Sequence, residues 1–323
     1  MKAVFLDSQT FSENISFSAI EQQVTMLTCY PTTSAEQVLK RCQNADVIIT
    51  NKVVITAEML AQLPQLKLIA ITATGYNNID IEAASKYNVA VTNVSGYAGN
   101  AIAQYVFAQL LEYYQQTCHH NTNTEQGLWQ KSDTFCYHGK AITELAGKTL
   151  AIVGNGFLGK SVAKLAAAFD MNVMISERPQ SEDIREGRVS FEQAIAQADI
   201  LSLHCPQTAE TTNLINAAVL AKMKPNAVLI NTARGMLVNS VDLLSALKNK
   251  QIAYAVLDVL EQEPPPEDHP LIVALQQNTL DNLKITAHIA WASNESQQRL
   301  INLLSDNIAA FKRGERLNRL DNT

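Results

Sequence analysis

Short, almost wholly apolar runs alternate along this chain with longer segments in which apolar residues return every three or four positions, and the alternation comes in two sets. In the first set the runs predict strands at Ala3 to Leu6, Val24 to Leu27, Val47 to Ile49, Leu68 to Ile71 and Val89 to Val91. The longer period predicts helices at Ala35 to Cys42, Ala57 to Leu63 and Ile81 to Tyr87. A long helix is expected from Ala101 to about Thr117, and a polar stretch from Cys118 to Ser132 then interrupts the regular pattern. The second set opens at Thr149. Its strands are expected at Asn172 to Ile175, Ile200 to Leu203, Val228 to Ile230, Ala253 to Leu257 and Lys284 to Thr286, with helices at Val162 to Phe169 and, last, Glu295 to Phe311. Strands without a polar face belong in parallel sheets covered by helices on both sides, so the fold class is α/β with two such sheets.

One strand-to-helix junction carries more than fold. In Lys148 to Gly159, KTLAIVGNGFLG, an apolar run opens directly into Gly154, Gly156 and Gly159. The first glycine allows a tight turn, the second lets the backbone approach a pyrophosphate, and the third lets the helix pack closely on the strand. A phosphate would then meet a helix N-terminus. The motif alone is weak, because glycine turns without a ligand are common. Its context strengthens it: a helix and a strand follow, and Glu177 stands at that strand's end, near the roughly 20-residue spacing of the acid that accepts from ribose hydroxyls.

Composition narrows the class. A chain of 323 residues, 47% hydrophobic, can bury two cores. A net charge of −6 without a Lys/Arg block argues against nucleic acid as a partner. Cys29, Cys42, Cys118, Cys136 and Cys205 are odd in number and lack metal-ligand spacing, so neither a disulfide framework nor a zinc site is expected. The start, MKAVFLDSQTF, turns polar too early for a secretory signal or a membrane span, which makes the cytoplasm the expected compartment. The tandem His119 and His120 have no partner in ligand register, and no metal is expected.

Three further residues could carry chemistry, each just after an expected strand of the second set: Arg234 in NTARG, Glu263 in DVLEQEPPP and His288 in TAHIAWAS. Carboxyl ends of strands face the ligand crevice of a doubly wound sheet, so the three can converge. Any one alone reads as a solvated charge or a structural histidine. Together they supply a carboxylate clamp, an acid partner and a proton donor, the set that reduction of a 2-oxo acid requires.

With these residues in view, the chain resembles the D-isomer-specific 2-hydroxyacid dehydrogenases over essentially its whole length. The resemblance rests on ATGYNNID (Ala73 to Asp80), TNVSGY (Thr92 to Tyr97), the glycine loop, LHCPQTAETTNLI (Leu203 to Ile215), INTARGMLV (Ile230 to Val238), DVLEQEPPP (Asp258 to Pro266) and TAHIAWAS (Thr286 to Ser293). ATGYNNID and Trp291 point to the glycerate dehydrogenase or hydroxypyruvate reductase branch. The resemblance implies a Rossmann NAD-binding domain, residues 99–292, inserted in a flavodoxin-like substrate domain, residues 1–98 plus 293–323, with the region from Ala101 to about Leu145 supplying a homodimer interface.

It also implies roles. Arg234 would bind the substrate carboxylate as a two-pronged donor that lysine cannot replace. His288 would protonate the carbonyl oxygen, and Glu263 would hydrogen-bond His288 and favour its charged form. Thr74, Gly75, Ser95, Gly96, Tyr97 and Trp291 would contact substrate. The cofactor, NAD, would meet Gly154, Gly156, Phe157, Leu158, Gly159, Glu177, Cys205, Pro206, Thr211, Thr232, Ala233, Arg234 and His288, with Asp258 accepting from the nicotinamide carboxamide. Glu177 should repel a 2′-phosphate and favour NAD over NADP, although the neighbouring Arg178 could attract one. Gln104 and Tyr105 depart from the Glu and the His or Leu of many relatives, with no effect on the chemistry expected. Two alternatives remain: a phosphoglycerate-type or other D-2-hydroxyacid dehydrogenase, and, from another class, an NAD-sensing, co-repressor-like binding protein. A formate dehydrogenase would carry Gln in place of Glu263.

Overall fold

The computed structural model describes residues 1–321. It divides into two compact units, one combining Met1–Ala98 with the chain from Ala292 onward, the other Gly99–Trp291. The last two residues of the expected segment 293–323 lie outside the described residues.

The first unit holds β1 (Lys2–Phe5), β2 (Met26–Cys29), β3 (Val47–Thr50), β4 (Leu68–Ile71) and β5 (Ala90–Thr92), all parallel, in the order β2-β1-β3-β4-β5. β3, β4 and β5 are buried along their whole length, with Thr50 and Thr92 the buried polar ends of otherwise apolar runs. β2 begins two residues later than its apolar run suggests, because the Thr25 amide is taken by the Met1 carbonyl at 2.9 Å and pairing starts only at Lys2↔Met26. The helix Asn294–Lys312 completes this unit, capped by Ser293 and burying Leu300, Ile301, Leu304 and Ile308.

The second unit holds β6 (Thr149–Val153), β7 (Asn172–Ser176), β8 (Ile200–Leu203), β9 (Val228–Asn231), β10 (Tyr254–Leu257) and β11 (Leu283–Ile285), again all parallel. Their order is β11-β10-β9-β8-β6-β7. From β6 the chain goes to β7 on one side and then to β8 on the other, so the strand order reverses between β6 and β8. That reversal opens a crevice at the carboxyl ends of the strands. Leu201, Leu203, Leu229, Ala255 and Leu257 form the centre of this core, with Leu220, Leu243 and Leu271 packed over them from the helices.

The polar stretch after the long helix Gly99–Gln115 is itself helical from Thr117 to Glu125, entered through Gln116 in a left-handed conformation (φ 52°). Its sequence, TCHHNTNTE, has no apolar stripe, so periodicity could not find it. Local bonds hold it: Thr122 Oγ1 donates to Cys118 O at 3.0 Å, Thr124 Oγ1 donates to His120 O at 3.2 Å, and Asn123 pairs with His119. The helix expected from Val162 begins at Phe157, directly behind Gly156.

His204, directly after β8, is a half-buried titratable group whose ring faces the core. Its Nε2 lies 2.8 Å from Ser202 Oγ, its Nδ1 is buried without a partner among the described residues, and burial pushes the imidazole down to about 4. Between the ordinary histidine range and pH 4 the unfolded chain takes up a proton that the fold refuses, so stability falls as pH is lowered through that window, by up to about 3 kcal/mol. Urea midpoints at a series of pH values should show this fall in the wild type and a flatter dependence in His204→Asn. Parallel curves would exclude His204 as the source.

Candidate active site

The glycine loop is shaped by close approach. Gly154 sits at φ +105°, and a Cβ there would lie 2.5 Å from the Cys205 amide nitrogen, so the loops after β6 and β8 meet backbone to backbone where the strand order reverses. A Cβ on Gly159 would strike the Gly154 carbonyl, whereas the space ahead of Gly156, the cap of the helix Phe157–Ala168, is open. A bare helix N-terminus behind an unobstructed glycine fits a pyrophosphate. Phe157 is half-exposed beside it, and Leu158 is partly buried. Thr232 Oγ1, further along the same sheet edge, is buried with no partner among the described residues. The residues present therefore suit a dinucleotide.

Glu177 stands at the end of β7, but its carboxylate does not wait for a ribose. It is 2% exposed and accepts from the Arg178 amide (2.9 Å), the Arg185 amide (3.4 Å), Arg185 Nε (2.7 Å) and Arg185 Nη2, with Arg188 Nη1 at 3.4 Å. Arg185 foremost holds this carboxyl down at about 2. The expected ribose acceptor is thus the anchor of its own loop, and its charge is answered by guanidinium before any 2′-phosphate could feel it.

On the β8 side Cys205 is partly buried, and burial raises its thiol to about 11, which leaves it inert. Thr211 Oγ1 donates to Pro206 O at 2.8 Å and accepts from the Thr208 amide at 2.7 Å, closing the loop that was expected beside the adenine.

Backbone constraints set the Arg234 turn against the chain leading to Glu263, and Glu263 against His288. After β9, Asn231 fastens the turn: its Oδ1 accepts from Ala233 N at 3.0 Å and its Nδ2 donates to Arg234 O at 2.8 Å. Ala233 itself is buried, and its carbonyl accepts from Arg234 Nη1 at 2.6 Å. A Cβ on Gly235 would collide with the Leu260 carbonyl carbon, so the Arg234 turn lies directly against the chain leading to Glu263. Glu263 Oε1 accepts from the Leu260 amide at 3.1 Å, which steadies the carboxylate, and Oε2 lies 2.6 Å from His288 Nδ1. A carboxylate can only accept, so Nδ1 carries the proton of that bond and Nε2 is left without a part in it.

His288 itself has φ 55°, a left-handed conformation that costs a non-glycine residue about 1–3 kcal/mol and needs surrounding bonds to persist. Asp258, at the end of β10 and 1% exposed, supplies most of them. Its carbonyl accepts from His288 N at 2.8 Å, Oδ1 accepts from Ile289 N at 2.9 Å, and Oδ2 accepts from Ala290 N at 2.8 Å. Asp258 was expected to accept from a carboxamide; in this structure both its carboxylate oxygens accept from the histidine turn. Trp291, expected at the substrate, donates from Nε1 to His288 O at 2.9 Å and braces the same turn.

In the first unit, the expected substrate loops follow β4 and β5 and are tied together. Thr74 Oγ1 donates to Val94 O at 3.0 Å and Asn93 Nδ2 donates to Thr74 O at 2.7 Å, which sets Thr74 and Gly75 beside Ser95, Gly96 and Tyr97. Asp7, unremarked in the sequence, is buried at the end of β1 and gathers the amides of Asn51 (2.9 Å) and Lys52 (2.7 Å). An isolated Asp after a strand carries no pattern that would have revealed this.

The model of the D-isomer specific 2-hydroxyacid dehydrogenase NAD binding domain matches residues 107–290. A Haemophilus influenzae protein provisionally assigned to the 2-hydroxyacid dehydrogenases is 43% identical over 96% of this chain and 98% of its own. The glycerate dehydrogenase of Methylorubrum extorquens is 39% identical over 97% of each chain. Among solved structures, an acyclic imino acid reductase in complex with NADPH and D-Arg aligns with a TM-score of 0.83 at 27% identity, covering 99% of this chain and 100% of that one. No helix among the described residues is long and apolar enough to cross a membrane. Two parallel-sheet units, a dinucleotide loop and an Arg, Glu and His set thus stand in a chain that belongs to the D-isomer specific 2-hydroxyacid dehydrogenases, NAD-dependent oxidoreductases of small hydroxy and oxo acids.

Proposed function

We propose that the protein reduces hydroxypyruvate or glyoxylate to D-glycerate or glycolate, with Arg234 as the carboxylate clamp and His288 with Glu263 as the acid–base pair. The observation that carries this reading is the 2.6 Å contact between His288 Nδ1 and Glu263 Oε2, which directs Nε2 to the substrate. Bound nicotinamide supplies the hydrogen with its electron pair. The protein's part is positional and electrostatic. Arg234 presents a planar fork to the substrate carboxylate, a match that a point charge lacks. Nε2–H of the charged imidazole donates its proton to the carbonyl oxygen as negative charge develops there, and Glu263 stabilises the charged ring beforehand. The backbone amides around Thr74, Gly75, Ser95, Gly96 and Tyr97 are assigned to carboxylate binding as part of the same proposal.

A homodimer belongs with this reading. Trp129, Phe135, Tyr137 and Ile142 lie within one segment of the second unit, and Phe135 is 91% exposed. A set of apolar side chains this exposed is an interface in waiting. A cytoplasmic location fits five cysteines that are all without a disulfide partner.

NADH oxidation should be fastest with hydroxypyruvate and glyoxylate and slower with pyruvate and phenylpyruvate; no turnover with any of the four would favour a nucleotide sensor. His288→Ala should lose about 10²- to 10⁴-fold in kcat while NADH still binds, as followed by its fluorescence. Retention of turnover would remove His288 as the acid. Arg234→Lys keeps the charge and loses the fork, so kcat/KM for the oxo acid should fall by roughly 1.5–3 kcal/mol of transition-state binding, with NADH affinity little changed. Sedimentation should give twice the 35.5 kDa chain mass, and Phe135→Asp should shift the equilibrium toward monomer. A monomeric wild type would contradict the assigned interface.

A further inference from the structure

The Asp258 carboxylate that holds the His288 turn is itself held, by a chain of hydroxyl groups reaching back to the long helix of the same unit. Thr286 Oγ1 donates to Asp258 Oδ1 at 2.5 Å, and Tyr105 OH lies 2.5 Å from Thr286 Oγ1. A threonine hydroxyl has a single proton, and here it goes to the carboxylate, so the phenol must be the donor to Thr286. Burial, with the Asp258 charge adding to it, raises the Tyr105 hydroxyl above its ordinary range and keeps it protonated for that role. The direction is therefore fixed on both sides of the carboxylate: Tyr105 donates to Thr286 and Thr286 to Asp258, while the amides of Ile289 and Ala290, just beyond His288, donate to Asp258 from the other side.

We propose that Tyr105 is a positioning residue for the reaction, acting through Thr286 and Asp258 to hold His288 in its left-handed turn. This rests on the reading of His288 as the acid. Three features of the geometry lead to it. His288 is in a conformation that a histidine does not keep unaided, so whatever fixes Asp258 fixes the acid. Asp258 Oδ1 receives two donors, Thr286 Oγ1 and the Ile289 amide, and the orientation of the carboxylate depends on both. Tyr105 sits near the middle of the helix Gly99–Gln115, which packs through its buried face on the helix that follows the glycine loop, with Gly99 close against Phe157 and Ser161. The phenol is thus mounted on a rigid element, whereas Thr286 and His288 lie in a loop. Such a support controls placement of the proton-donating nitrogen, and small displacements there are costly to rate.

The proposal runs against the expectation that the residue at this position has no bearing on the chemistry. A phenol reaches far enough from the helix to donate to Thr286; a leucine at this place could not donate at all.

Tyr105→Phe removes only the donor. In that variant kcat for the oxo acid should fall by about tenfold, with the KM values for NADH and oxo acid within about twofold of wild type. Hydrogen exchange at the Ile289 and Ala290 amides, followed by NMR on the full chain without substrate, should accelerate. Thr286→Val, of the same shape, should lose at least as much, Thr286→Ser should retain near wild-type kcat, and Tyr105→Phe combined with Thr286→Val should be no worse than Thr286→Val alone, because both act along one path. Unchanged amide exchange and kcat in Tyr105→Phe would overturn the proposal, as would losses that add in the double variant. These outcomes are separate from failure of the acid assignment, which His288→Ala decides by itself: the exchange readout in Tyr105→Phe stands whether or not His288 is the proton donor.

Discussion

One buried carboxylate organises the working end of the second unit. Asp258 follows β10 immediately, so its position is as rigid as the sheet, and its three oxygen atoms, carbonyl included, all accept from the segment that carries His288. A carboxylate removed from water needs its full complement of donors, and the turn needs acceptors to stay in a left-handed conformation. Each requirement satisfies the other. The imidazole is thereby presented to Glu263 from a fixed backbone, and its second nitrogen is left to work.

Around that anchor, two pairs of loops at the carboxyl edge of one sheet come closer than side chains permit. Gly154 lets the β6 loop lie against the β8 loop, and Gly235 lets the Arg234 turn lie against the chain that leads to Glu263. The consequence of Gly235 is chemical as well as steric, because it joins the clamp to the acid partner through backbone contact. Displacing either loop would move the other.

Electrostatics at the edge strand β7 follow a different logic. Glu177 is matched by Arg185 and Arg188, and the loop beyond adds Arg178 but also Glu182, Asp183 and Glu186. The segment is therefore not a basic cradle, and its acid is not a lone charge.

Sequence by itself determined the fold class, both sheets and the glycine loop. Apolar runs without alternation permit only doubly covered parallel strands, and a glycine spacing is a backbone requirement written directly into residue type. The helix Thr117–Glu125 was invisible because local polar bonds, not an apolar face, hold it. What only the tertiary structure decided is which polar atoms are already spent. Glu177 and Asp258 both read as acceptors for a ligand, and both already accept from within the chain, from residues whose proximity no spacing reveals: Arg185 in the loop after β7, and Thr286, Ile289 and Ala290 in the segment after β11. A residue's type states what bonds it can make, whereas the fold alone states which neighbours arrive to take them.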